Sequence, residues 1–259
     1  MQFGVCAPIE KSADVKSAGF DFLEESVQSL LQGLVDDAQW TGQTRLRTSA
    51  LPVLAANLLV PGDLKIVGPV VDFPKVCSYM TNVLRRAGLT SIKLLVFGSA
   101  GARGVPEGFD RNRARQQILE FLTMVAPLAA QHKVTLVVEP LNSKECNIIT
   151  TVGEAMTYIK EINQPSIQCL IDAYHYWLDS DSPTDLKAAM PWIRHVHVAD
   201  KEGRLAPGES GKADYRPFFR ILKDAGYDAG ICVEALGFND FKIAAPRVLA
   251  YLKKQWQNA

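Results

Sequence analysis

The chain has little of what marks several large classes of protein. Only five of its 259 residues are cysteines and only four are histidines, and no C-x-x-C pair occurs. An odd number of scattered cysteines predicts ordinary packing in a reducing compartment. An excess of one charge is also missing, because 28 Lys and Arg balance 28 Asp and Glu. Without a basic stripe we expect no nucleic-acid partner.

Long hydrophobic runs are absent as well. No stretch approaches the roughly 20 apolar residues of a membrane span, and the chain opens into an apolar strand without a charged leader. We therefore expect a cytoplasmic protein with no membrane partner. Hydrophobic residues still make up 47% of the chain, enough to bury a large core.

Eight short apolar runs recur along the chain, and helical periodicity separates most of them, as over residues 111–132 and 213–225. The runs are continuous rather than alternating, which is typical of parallel strands covered on both faces. Together they predict a single α/β domain over residues 1–259, a (β/α)8 TIM barrel of the usual length. The alternative is an open doubly wound sheet, but the glycine fingerprint typical of that fold does not follow Cys6. The predicted strands are Phe3–Cys6, Phe20–Leu23, Leu51–Ala55, Ile92–Phe97, Val134–Val138, Ile167–Ile171, Ile193–Val198 and Ile231–Val233.

Each of the last four runs ends with a residue that can bind a metal. We call these residues the strand-end set: Glu139, Asp172, His197 and Glu234. Active sites of TIM barrels form at the carboxyl ends of the strands, so we expect the four side chains to meet. Three carboxylates and one imidazole suit one catalytic divalent ion per chain. Manganese or magnesium is favoured by the carboxylates, while cobalt and zinc are compatible with the imidazole.

Two further histidines flank this set. His195 lies two residues before His197 on the same strand face, and we expect it to be a buried structural histidine or a support for a metal ligand. His175 follows the sixth strand and is close enough to share the pocket. Packing on Trp177 is an equal alternative for it.

Several loop residues at the predicted barrel mouth are candidate substrate contacts. Asn57 follows the third strand, and Arg103 and Glu107 lie in the loop after the fourth. Ordinary surface polarity is as good an explanation for each of them. The segments 98–109 and 201–211 are the longest irregular stretches, and we expect them to form binding loops or lids.

Four motifs resemble the xylose-isomerase-like barrel superfamily, in particular its sugar phosphate isomerase/epimerase group. They are V-V-E-P-L-N, I-D-A-Y-H, H-V-H-V-A-D followed by R-L-A-P-G-E-S-G, and V-E-A-L. The resemblance implies that the strand-end set binds a divalent metal and that its two glutamates act as acid and base. It also implies substrate contacts by His175, Glu145 and Arg204, and association into homo-oligomers in some members.

Residues and resemblance together predict a metal-dependent isomerase or epimerase of a small ketose or related hydroxycarbonyl compound, acting through a metal-stabilised enediolate. A dehydratase or lyase on a cyclic polyol or hydroxy acid, with the same metal site, is the main alternative. An apurinic-site endonuclease needs more histidines than this chain has. A non-catalytic barrel is disfavoured because the whole strand-end set is present.

Overall fold

The computed structural model describes residues 1–238 and 240–259, and within them eight parallel strands close into one barrel in the order β1 to β8. The closed barrel confirms the predicted fold class, and no open sheet edge remains in the described part. The strands are β1 (Gln2–Cys6), β2 (Phe22–Ser26), β3 (Val53–Asn57), β4 (Leu94–Phe97), β5 (Thr135–Val138), β6 (Ile167–Asp172), β7 (Ile193–Val198) and β8 (Gly230–Val233).

Helices surround the barrel and connect its strands. The long ones carry amphipathic patterns whose apolar face packs against the strands, as in Arg111–Gln131, where Ile118, Leu122 and Val125 are fully buried. The helices are α1 (Ser12–Ser17), α2 (Val27–Leu30), α3 (Gly42–Thr48), α4 (Phe73–Gly88), α5 (Ala100–Arg103), α6 (Arg111–Gln131), α7 (Val152–Ile162), α8 (Ala173–Leu178), α9 (Pro183–Ala189), α10 (Arg216–Asp224) and α11 (Phe241–Gln257).

The second strand departs most from its predicted bounds. The apolar run ends at Leu23, but β2 begins at Phe22 and continues through Glu24 and Glu25 to Ser26. Both carboxylates are buried, with exposed fractions of 1% and 5%. Glu24 accepts hydrogen bonds inside the barrel and Glu25 accepts them outside, so the strand continues where an apolar pattern stops. The pairing register also shifts between Leu23 and Glu24.

The barrel interior is layered because alternate residues of each strand point inward. Lower in the barrel, Val96, Val137 and Leu170 form an apolar cluster of their own. The next inward positions of the same three strands, two residues further along, are Gly98, Glu139 and Asp172. The apolar floor thus gives way to a polar layer at the carboxyl ends of the strands.

The helices were also compared with the requirements of a membrane span. Within the described residues, every helix is too short or too polar to cross a bilayer.

Candidate active site

The strand-end set converges at the mouth of the barrel. Glu139 follows β5, Asp172 is the last residue of β6, His197 lies near the end of β7, and Glu234 follows β8. Each residue contributes one ligand atom, and these four atoms all lie within 4.8 Å of one another. His197 Nδ1 is 3.4 Å from Glu139 Oε1 and 3.3 Å from Glu234 Oε2.

Two atoms of this set fit a metal better than they fit a hydrogen-bond network. Glu139 Oε1 and His197 Nδ1 are buried and have no hydrogen-bond partner among the described residues. Leaving a buried polar atom unpaired costs about 1–3 kcal/mol, and these two atoms lie 3.4 Å from each other. Three carboxylates and one imidazole form a donor set of the kind that holds a catalytic divalent ion.

His197 is oriented by a carboxylate of another strand, for which the sequence patterns predict no role. Glu24 lies on β2, and both of its carboxylate oxygens are 3.0 Å from His197 Nε2. His195 Nε2 lies 2.7 Å from Glu24 Oε2, so one carboxylate holds two imidazoles. Because Nε2 is engaged by Glu24, His197 turns Nδ1 toward the other members of the set.

Burial and close charges shift the pKa values of these groups in opposite directions. For Glu24, burial raises the pKa, but His197 and His195 outweigh it and hold the carboxyl pKa well below its usual range. Burial also opposes ionisation of Glu234, yet His197 and Arg204 lower its pKa to about 2. The pKa of His197 rises well above its ordinary value, because Glu24 and Glu234 outweigh its burial.

Asp172 differs from Glu234, the member of the strand-end set whose pKa is lowered. It is fully buried, and this burial raises its carboxyl pKa, with His175 and Arg204 only partly offsetting the effect. Its Oδ1 accepts the backbone N–H of Tyr174 and thereby caps helix α8. The same residue ends β6 and begins the helix that carries His175, which links the two candidate groups.

His175 points its free nitrogen toward the site. The backbone N–H of Asn142 donates to His175 Nδ1 over 3.2 Å, which assigns the imidazole proton to Nε2. His175 Nε2 is buried without a hydrogen-bond partner among the described residues and lies 3.6 Å from Asp172 Oδ2. Asn142 Nδ2 also donates to Glu145 Oε1 over 2.8 Å, which places Glu145 beside His175 at the rim.

Arg204 reaches the site from the loop after β7. Its Nη2 donates to Glu234 Oε2 over 2.5 Å and lies 3.5 Å from Asp172 Oδ2. Its Nη1 is 3.6 Å from Glu145 Oε2, and its guanidinium stacks 4.9 Å from the ring centre of Tyr174. The segment 201–211 therefore contributes a cation to the mouth.

Asn57 completes the polar contacts of Glu234. The side-chain amide of Asn57 donates to Glu234 Oε1 over 2.8 Å. With Arg204 on Oε2, both oxygens of this carboxylate accept hydrogen bonds. Glu234 is thus held in one orientation, whereas one oxygen of Glu139 is free.

The prediction that Arg103 is a candidate substrate contact is wrong. The side chain is fully buried and donates to the carbonyls of Phe97 and Glu139, each over 2.8 Å. It stabilises the ends of β4 and β5 rather than the pocket surface. Glu107 lies exposed on the same segment.

The chain is a TIM barrel with a cluster of carboxylates and one histidine at the carboxyl ends of its strands. The family model described as "Xylose isomerase-like TIM barrel" matches residues 13–255. The chain belongs to this family.

Individual relatives match a smaller part of the chain than the family model does. A putative hydroxypyruvate isomerase of Mus musculus is 27% identical over 138 residues, which cover 50% of this chain and 50% of the relative. A ketose 3-epimerase of Arthrobacter globiformis is 26% identical over 51% of this chain and 45% of its own. The chain thus matches about half the length of these relatives.

Fold similarity extends further than sequence similarity. The apo crystal structure of 3-keto-D-glucoside 4-epimerase from E. coli aligns with a TM-score of 0.82 over 98% of this chain and 99% of the other. The two sequences are 22% identical. This likeness is one of fold.

Proposed function

We propose that the chain is a divalent-metal-dependent isomerase or epimerase of a small ketose or a related hydroxycarbonyl compound. The observation that carries the proposal is the convergence of the strand-end set within 4.8 Å, with two of its atoms unpaired. The names of the relatives, hydroxypyruvate isomerase and ketose 3-epimerase, describe chemistry of the same kind.

The strand-end set is assigned one divalent ion per chain. When bound, such an ion supplies Lewis acidity for negative charge that develops on adjacent substrate oxygens. The carboxylates favour manganese or magnesium, and cobalt or zinc is compatible with His197.

Glu139 and Glu234 are assigned the acid and base roles. They come from β5 and β8, between which β6 and β7 lie in the barrel, so they reach the centre from different directions. The low pKa of Glu234 keeps it ionised, which is the form that a base requires. One carboxylate removes a proton from the carbon beside the carbonyl, and the other returns a proton. Return to the opposite face gives an epimer, and return to the adjacent carbon gives an isomer.

Four further residues are assigned to substrate binding. His175 presents Nε2–H to a substrate oxygen, since its other nitrogen is occupied by Asn142. Arg204 donates to substrate oxygens, and Glu145 at the rim accepts from substrate hydroxyls. Asn57 holds Glu234 and lies beside the carboxylate that meets the substrate.

The test combines metal content with turnover. Purified wild type, Glu139→Gln and His197→Ala are compared by elemental mass spectrometry, and Glu202→Gln on the exposed mouth loop is the matched control. We expect about one divalent ion per chain in the wild type and control, and loss of metal in His197→Ala. The proteins are then assayed on a panel of ketoses and hydroxycarbonyl acids with manganese, magnesium and cobalt. Full activity in both Glu139→Gln and Glu234→Gln, or no metal in any preparation, would refute the proposal.

A further inference from the structure

A pair of thiols lies next to the strand-end set and has no role in the proposed reaction. Cys6 ends β1 and Cys232 lies in β8, its neighbour in the barrel. Their Sγ atoms are 3.6 Å apart. Cys232 is fully buried, whereas Cys6 is partly exposed.

A carboxylate completes this pair. Glu24 offers an oxygen that lies within 4.8 Å of both sulfur atoms, so two sulfurs and one oxygen converge in the barrel interior. The same Glu24 carboxylate also holds His195 and His197. A tetrahedral metal ion with one open position is held by three protein donors, and these three atoms supply that number.

The distance between the sulfurs fits a shared ion. Zinc binds thiolates at about 2.3 Å, and two thiolates at tetrahedral corners are then about 3.8 Å apart. The observed separation of 3.6 Å is close to that value. A disulfide would require the sulfurs to approach to about 2.0 Å.

We propose that Cys6, Cys232 and Glu24 form a second metal site, specific for thiophilic divalent cations such as zinc or cadmium. On binding, each thiol loses its proton to solvent and each sulfur forms one bond to the ion. The site is distinct from the strand-end set in its donors, because thiolates select soft ions and carboxylates select hard ones. The two neighbouring sites therefore prefer different ions, because only the second site contains sulfur donors.

Cadmium titration of the manganese-loaded protein tests this site, because thiolate-bound cadmium has an ultraviolet charge-transfer band that carboxylate-bound metal lacks. We expect one equivalent of cadmium to produce the band in the wild type. Cys6→Ser and Cys232→Ser should lose the band or weaken cadmium binding by at least about tenfold, the smallest loss expected when a metal-site partner is removed. Cys169→Ser, a buried cysteine on β6, is the matched control and should behave as wild type.

Two results would overturn the proposal. One is a wild-type protein that shows no thiolate band. The other is an unchanged band in Cys232→Ser, which would mean that Cys6 instead joins His197 and Glu234, whose ligand atoms also lie within 4.8 Å of it. If a serine variant does not fold, Cys6→Ala and Cys232→Ala take its place, because alanine adds no polar atom to the buried position. Loss of the band in both alanine variants supports the site, and an unchanged band in Cys232→Ala contradicts it. None of these readouts requires sugar turnover.

Discussion

Replacing Gly98 by alanine should disable Glu139 without unfolding the barrel. A Cβ atom at position 98 would lie 2.3 Å from Glu139 Oε2. Ordinary van der Waals contact begins at 3.4 Å, so the carboxylate must move by about 1.1 Å (3.4 − 2.3). A misplacement of about 1 Å can cost on the order of 100-fold in rate. We therefore expect kcat/KM to fall about 100-fold, which corresponds to about 2.7 kcal/mol of transition-state stabilisation.

Stability should respond in a different way. The clashing atom is the end of a flexible side chain, and Gly98 does not have a positive φ, so alanine is compatible with the backbone. The free energy of unfolding should stay within about 1 kcal/mol of wild type. The measurements are steady-state turnover with the metal-loaded protein and urea denaturation.

Gly237→Ala is the control for this experiment, because no described atom lies within 4 Å of a Cβ built there. It should keep wild-type turnover. Wild-type kcat/KM in Gly98→Ala would refute the reasoning, because it would show that the position of the Glu139 carboxylate does not limit the reaction. A large loss of stability in Gly98→Ala would also contradict it.

Three further predictions concern the supports of the site. Glu24→Gln should weaken manganese binding at the strand-end set about 10- to 100-fold, since His197 loses its anionic partner. Isothermal titration calorimetry with manganese measures this affinity, and Glu25→Gln should bind manganese as tightly as wild type. Metal affinity should rise with pH by about tenfold per unit over about pH 6–8, because the raised pKa of His197 means that each bound ion displaces one proton; an affinity that is flat with pH would contradict this. Arg103→Met should lower the free energy of unfolding by roughly 2–6 kcal/mol, because two buried strand-end carbonyls lose their donor; a loss below about 1 kcal/mol in urea denaturation would show that they find other partners.

The electrostatic arrangement explains why these supports matter. Three carboxylates of the strand-end set and Glu24 surround one imidazole, so the site concentrates negative charge in the barrel interior. His197 and Arg204 provide the positive charge that offsets it. A divalent ion would add to this compensation, which is consistent with the donor set and with the unpaired oxygen of Glu139.

Much of the candidate site follows from sequence by a simple rule. Strand periodicity decides which face of a strand a side chain takes, and parallel strands bring their carboxyl ends to one side. Glu139, Asp172, His197 and Glu234 each end an apolar run, so their meeting could be expected once the runs were assigned to a barrel. His175 is three residues after Asp172, and this short separation brings it along.

Other features depend on contacts across the closed barrel. Glu24 is 173 residues from His197 and Cys6 is 226 residues from Cys232, and no local pattern relates them. Arg103 is polar and lies in a glycine-rich segment of the sequence, yet in the structure it ends helix α5 and its side chain points inward to the carbonyls of two strands.

The division between sequence and structure has one physical cause. Apolar patterning and residue chemistry act over a few neighbours, and they determined the eight strands of this protein, their parallel arrangement and the residues at their ends. Distances across the barrel arise only when the sheet closes, because closure sets the tilt and stagger that bring particular side chains together. Only the tertiary structure therefore decided that Glu24 holds two histidines, that two distant cysteines are neighbours, and that Arg103 supports the strands.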